Sequence, residues 1–333
     1  MIMVEPKVQI IEGDNLTRIF KAGTTCYRSE ETTKKTPEEF AQMLIKRGHT
    51  AMLEHSLIVV REVDCELSVS LNVILRAFAT EFGRPSMVTR MMGVDDETGT
   101  SVDLYVGTVR AWRELLEFNN KQAADDEDWY FVEFSKDPLM ANVGTDLNHR
   151  GEKVIDLSLN VAKPDEDFDV FDEHCRIVTA KFTTSRAVAL EAFRHRLNAA
   201  DYEPVDLCPP MCISPAMEST RYVDEANGDI AFVKPWWWDN PNVKNWMERK
   251  AERVAAWEDS ERHYKRDREL GGAPQAARGL LAEDVRTEIV LTATVANWKL
   301  WLAQRADRAA HPDIRILANK FMELTGIKPD GWE

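Results

Sequence analysis

The chain has 333 residues, 44% of them hydrophobic and 30% charged, a balance typical of a soluble globular protein and enough chain for one large domain or two ordinary ones. Its formal net charge is −15, from 57 acidic and 42 basic residues, which excludes a general nucleic-acid binder because phosphate neutralisation needs a basic surface. No run approaches the ~18 apolar residues of a membrane span, and the first residues carry neither a basic start nor a useful apolar run, so no secretory signal, no membrane partner and a cytoplasmic location are expected.

Five cysteines, Cys26, Cys65, Cys175, Cys208 and Cys212, are odd in number and scattered, which fits free thiols in a reducing compartment. Cys208 and Cys212 could begin a metal site, but no second pair and no nearby histidine completes a four-ligand set, so no metal is expected.

In chain order, residues 36–48 carry the signals of a helix. Thr36 serves as N-cap, Pro37 fits the first turn, Glu39 completes a capping box and Gly48 fits the position after the helix end. Phe40, Met43 and Leu44 supply its buried stripe. His49 to His55 follow, with Glu54 between the histidines, and then a β-like run from Ser56 to Val60. Helix-to-strand loops concentrate functional groups; the plainer alternative is a polar turn with capping histidines.

Leu71 to Phe82 and Val109 to Phe118 read as helices, while the acidic stretches 95–97 and 165–169 read as loops. Arg176 to Thr183 has a strand pattern, and Ser185 to Arg196 has helical spacing with Val188, Ala192 and His195 near one face. Three tryptophans, Trp236 to Trp238, follow Pro235. They could stack on a ring, but a packed corner of a large core is the favoured reading. Asn245 to Leu270 reads as a long polar helix. Leu280 to Asp307 reads as a second, with Trp298, Trp301 and Arg305 on one face. Pro312 forces a break, and Ile314, Leu317, Phe321 and Leu324 define a last helix stopped by Gly326. There is no repeat, no Gly/Ser linker and no glycine-rich phosphate loop.

The triplet Arg194-His195-Arg196 and the cluster Glu218-Ser219-Thr220-Arg221-Tyr222 form a local positive island in a negative chain. Arginine's planar fork matches phosphate, and histidine is readily poised near neutral pH, so an anionic ligand suits the pattern. A solvated basic face is the alternative.

Taken in order, Cys26-Tyr27, Gly48-His49 with Glu54-His55, the Arg194-His195-Arg196 triplet, Ser219-Thr220-Arg221-Tyr222, Gly272-Ala273-Pro274 with Ala277-Arg278, and Arg305 resemble the landmarks of the flavin-dependent thymidylate synthases. Ser185-Arg186 with Glu191, Glu218 to Tyr222, Thr292-Ala293-Thr294 with Trp298, His311-Pro312, and Gly107 with Arg110 to Arg113 are similar to a longer, divergent branch of that family. Two features depart from its pattern. Roughly Glu203 to Pro215 separates the two halves of the arginine motif, and Ala199 and Ala282 replace an expected serine and proline.

The resemblance implies a single α+β domain over residues 1–333, with a central antiparallel sheet flanked by long helices and a large inserted segment at 61–175. It implies an FAD-dependent methyltransferase that converts dUMP to dTMP, with NADPH and methylenetetrahydrofolate as co-substrates, acting as a homotetramer. Carried over, His49, Glu54, Arg194, His195 and Arg196 hold FAD, and Glu191, Ser219, Arg221, Arg278 and Arg305 hold dUMP. Among the latter, Arg305, Arg221 and Ser219 take the catalytic roles. A hydroxymethylase of the same family, or a catalytically silent nucleotide-binding protein, are the alternatives.

Overall fold

The signals around residue 36 act locally, and the computed structural model of the chain reproduces them. The Thr36 side chain accepts from the Glu39 amide at 3.2 Å, and Glu39 reciprocates on the Thr36 amide at 3.0 Å. Gly48 ends the turn at φ 71°, a left-handed conformation that costs glycine little. The structure describes residues 1–61, 65–82, 88–94, 101–125, 131–134, 136–140, 154–159, 161, 172–194 and 213–332.

Within them the elements run β1 (Ile2–Val4), β2 (Lys7–Ile11), α1 (Asn15–Tyr27), α2 (Pro37–Lys46), a 3-10 turn (Thr50–Glu54), β3 (Ile58–Arg61), α3 (Cys65–Phe82), β4 (Thr89–Val94), β5 (Ser101–Gly107), α4 (Val109–Asp125), β6 (Phe131–Glu133) and β7 (Val154–Asp156). The second half continues with α5 (Asp172–Cys175), β8 (Ile177–Ser185), α6 (Arg186–Ala192), β9 (Ser214–Met217), β10 (Ala231–Val233), α7 (Trp246–Glu269), α8 (Pro274–Ala277), β11 (Arg286–Thr294), α9 (Val295–Arg305) and α10 (Pro312–Thr325).

The architecture is α+β, built on several small sheets. A four-stranded sheet of order β2-β8-β11-β9 has every neighbour antiparallel, and its longest pairing runs from Arg286 opposite Ser185 to Thr294 opposite Ile177. Successive side chains of a strand alternate between faces. Val8, Ala180, Phe182, Ile289, Leu291 and Ala293 therefore share one face, where they pack against α6, α9 and α10 through Val188, Trp298, Trp301 and Phe321. Ile11, Ala216 and Val290 take the other, against Ala22 of α1 and Met52 of the 3-10 turn.

A second core joins α1 and α2 to β3, α3, β5 and α4, with Phe40, Leu44, Tyr105 and Trp112 nearly or fully buried. There β3, β5 and β4 form a three-stranded antiparallel sheet, while β1–β10 and β6–β7 are short parallel pairs.

Three sequence expectations need correction. The long helix expected over Leu280 to Asp307 is a nine-residue strand followed by the shorter helix α9. The β-branched run Thr287, Ile289, Val290, Thr292, Thr294 is covered on both faces, and pairing with β8 and β9 overrides the helical spacing of its tryptophans. Leu324 is exposed rather than part of the buried stripe of α10, where Ala318 takes the place beside Phe321. Of the three tryptophans, Trp237 and Trp238 pack in a core with Trp257, but Trp236 is exposed.

Candidate functional site

Ser219 lies two residues beyond the end of β9, and the chain turns there. The Ser219 amide donates to the Cys26 carbonyl at 2.9 Å, and the Tyr222 and Val223 amides both donate back to the Ser219 carbonyl, at 3.2 and 2.9 Å. The Arg221 amide donates to the Ser219 hydroxyl at 3.3 Å. This leaves the Arg221 side chain in solvent, its guanidinium 5.4 Å from the centre of the exposed Tyr222 ring. Tyr222 lies 5.7 Å from Tyr27, whose hydroxyl meets His49 Nδ1 at 2.6 Å. The loop histidine and the Ser219–Tyr222 turn are thus one aromatic and cationic cluster.

A charged network lies under that turn. Glu218 is only 3% exposed. It accepts from Arg28, from Arg286 at 3.1 Å and from the Glu288 amide at 3.3 Å. Burial raises the Glu218 carboxyl pKa, with the hydrogen bond from Arg28 pulling the other way. Beside the turn, an open cleft of about 400 Å³ is lined by Tyr27, Arg28, Val223 and Glu225 among others.

A second cluster sits at the far end of α6. Arg186 opens that helix and reaches Thr220 at 3.3 Å. Arg305, last residue of α9, donates through Nη2 to the Glu191 carbonyl at 2.8 Å, near the helix's other end. Seven helical residues span roughly 10 Å, so the two clusters are about that far apart. Arg305 Nε is buried with no partner. Burial lowers the Arg305 pKa, Glu191 opposes the effect and Arg194 adds to it. Arg194 is exposed.

Glu54 holds Arg110 at 2.5 Å, and Arg110 also reaches Glu114 at 3.1 Å. His55, the next residue, is fully buried. Its Nδ1 meets Thr292 Oγ1 at 2.8 Å, and Thr292 meets Thr179 at 2.8 Å, so the histidine is tied to the middle of the central sheet. Burial lowers its pKa to about 3, against a small opposing effect of the Pro215 carbonyl. His55 is a neutral structural residue.

Arg278 is exposed at the start of a 3-10 turn following α8. The Gly272 carbonyl just before α8 is held by Arg268, which also grips Asp224 at 2.7 Å. The Arg278 loop and the Ser219 turn are therefore braced to each other. Among the described residues, Arg194, Arg221 and Arg278 enter no ion pair.

Residues 168–328 match the family model described as thymidylate synthase complementing protein. This segment belongs to the flavin-dependent thymidylate synthase family. No curated protein matches the chain. That family is one of thymidylate synthesis and is generally flavin-dependent. The thymidylate synthase match contains Glu191, Arg194, Ser219, Arg221, Arg278 and Arg305, whereas His49 and Glu54 precede it.

The residues singled out from the sequence are not all brought together. His49 lies with Ser219 and Arg221, while Glu191, Arg194 and Arg305 gather about α6 and α9 on the opposite face of the central sheet from the His49–His55 turn. His195, Arg196, Cys208 and Cys212 lie outside the described residues. Cys26 is a free thiol, and burial raises its pKa, so it is no activated thiolate. Among the described residues no helix is long and apolar enough to cross a membrane, and no cluster of three or more His, Cys, Asp or Glu could hold a metal.

Sequence reasoning passed over Arg28 and Arg286. Arg110 was legible as part of the Arg110 to Arg113 stretch, although nothing in its surroundings named Glu54 as its partner. Arg28 offered only its position after Cys26-Tyr27, and its partners are 190 and 197 residues away.

Proposed function

We propose that the protein catalyses the reductive methylation of dUMP to dTMP, with FAD as cofactor and methylenetetrahydrofolate and NADPH as co-substrates. The observation that carries this reading is the family match over residues 168–328, which spans every residue of the proposed dUMP set. We read the whole chain as one such domain, with 61–175 inserted, since Leu71, Trp112, Phe134 and Leu157 share a core with residues of α1 and α2.

The side chains present fit the two ligands. Three exposed arginines without acidic partners are free to grip anions, and Arg305 keeps a buried donor unsatisfied, a cost that a bound acceptor would remove. Arg194 would hold FAD together with His195 and Arg196. His49, its Nδ1 engaged by Tyr27, retains Nε2 for a ligand, and Glu54 retains Oε2 beside Arg110. Bound FAD supplies the hydride-transfer chemistry that the protein's own side chains lack.

The protein's part is binding and electrostatics. Arg221, with the Ser219 hydroxyl and Arg278, clamps the dUMP phosphate through its fork of donors. Arg305 donates to a uracil carbonyl and stabilises negative charge that develops on the ring, and its partly buried setting strengthens that interaction. Glu191 sets the local charge around Arg305. The two clusters lie on different faces of one chain, which supports assembly with further copies, as a homotetramer, so that one copy's His49 side meets another's Arg194 side.

Mass spectrometry of the product from dUMP, methylenetetrahydrofolate and NADPH tests the reading. A gain of one methyl group, with an FAD spectrum bleached by NADPH, is expected. A hydroxymethyl product would replace the methylation by the related variant, turnover of dCMP but not dUMP would defeat the uracil assignment, and no turnover at all would leave a silent nucleotide-binding protein.

A further inference from the structure

Arg28 stands at the end of α1 with φ 48° and ψ 44°. Only Arg28 and Asn245 adopt positive φ among the described non-glycine residues. A left-handed conformation at a residue with a Cβ persists where its surroundings hold it there. Here the hold is visible. The Arg28 guanidinium gives Nε to Glu218 and both Nη atoms to Glu225, at 3.0 and 2.6 Å. Burial would lower the Arg28 pKa, but the bonds to Glu225 and Glu218 outweigh it and raise it.

Glu218 and Glu225 flank Ser219 to Asp224. One guanidinium therefore joins the two ends of the turn whose outer side presents Ser219, Arg221 and Tyr222. The joint is anchored on both sides. Glu218 is fixed by Arg286 and by the Glu288 amide of β11, and the Glu225 amide donates to the Tyr264 hydroxyl at 3.2 Å. The Ser219 amide closes the same joint on Cys26, two residues before Arg28.

We propose that Arg28 is a positioning residue for nucleotide binding, a bidentate staple that holds the Ser219–Asp224 turn in the geometry in which Ser219 and Arg221 receive a phosphate. This rests on the dUMP reading above. If stability alone were at stake, apolar packing would serve at least as well, since buried ion pairs contribute little net stability. A two-carboxylate fork instead fixes distance and orientation, which a phosphate site requires and a lysine's point charge cannot supply.

The test is titration of the flavin-loaded protein with dUMP and with deoxyuridine, which lacks the phosphate. Asparagine tolerates the left-handed conformation and removes the fork, so Arg28→Asn separates the staple from backbone strain. The preference of the wild type for dUMP over deoxyuridine should fall at least tenfold in Arg28→Asn, with deoxyuridine affinity and FAD content retained. Arg28→Lys should behave in the same way. Full preference retained in Arg28→Asn overturns the proposal, as does parallel loss of FAD and of both ligands, which would mark Arg28 as a general structural residue. A wild-type protein that does not prefer dUMP overturns the function reading itself, and the staple's role with it.

Discussion

Acidification should destabilise this protein through His55. The imidazole is fully buried and its Nδ1 is committed to Thr292, and the Pro215 carbonyl offsets only part of the desolvation, so a proton there would put a poorly solvated charge against the central sheet. Its pKa is about 3 in the folded chain against an ordinary 6.5. A depressed folded pKa means that the unfolded chain binds the extra proton first. The stability contributed by neutral His55 is fully present above the unfolded value and drains away as pH falls towards the folded value. Integrating over that window, the loss between about pH 7.5 and about pH 5 is ~2 kcal/mol, rising to ~5 kcal/mol below both pKa values. Two kcal/mol is a large fraction of a domain's total stability of ~5–15 kcal/mol. Glu218 works in the opposite sense, because its raised carboxyl pKa contributes stability at low pH that is lost as pH rises through the folded value. The measurement must therefore be a difference. Urea unfolding of wild type and His55→Asn at the two pH values isolates the histidine, since asparagine can keep a partner for Thr292 but does not titrate. The wild type should lose about 2 kcal/mol more than the variant over this interval. Equal losses in the two proteins, or an NMR titration showing the folded His55 protonating near its ordinary value, would refute the reasoning.

Three further outcomes are expected. Gly23→Ala in α1 would place a Cβ 2.5 Å from the Phe40 ring, so it should destabilise by ~1–3 kcal/mol through overpacking of the α1–α2 contact, although alanine is the better helix former by ~1 kcal/mol; a stabilised variant in urea unfolding would show that the contact is not tight. Trp257→Ala removes a fully buried ring stacked 5.1 Å from both Trp238 and Phe232 and bonded to Asp284, so it should cost ~3–5 kcal/mol by the same measurement, and a cost under about 1 kcal/mol would contradict that core. Arg194→Ala removes an exposed side chain with no ion pair, so circular dichroism should be unchanged while FAD affinity falls roughly ten- to hundredfold; full flavin occupancy in the purified variant would remove Arg194 from the cofactor site.

Features that depend on near neighbours were legible from the sequence. The capping box of Thr36 and Glu39, the proline-started α10 with its Gly326 stop and the polar length of α7 are each set by contacts within a few residues, and each appears where the residues place it. The order of the motif residues likewise pointed to the family whose model matches residues 168–328. What only the tertiary structure decided involves partners far apart in the chain. The run from Arg286 to Thr294 carries β-branched residues and, just beyond it, tryptophans at helical spacing, and pairing with β8, over a hundred residues earlier, makes it a strand. Sequence could name His49, Glu54, Arg194, Ser219, Arg221, Arg278 and Arg305 as a set, but not that the central sheet divides them between two faces. Nor could it show Arg28 bridging Glu218 and Glu225, or His55 bonded to a threonine 237 residues away. A charge can meet any opposite charge that folding brings near it, so sequence spacing leaves its partner open, and the choice belongs to the packing of the sheets and helices that carry them.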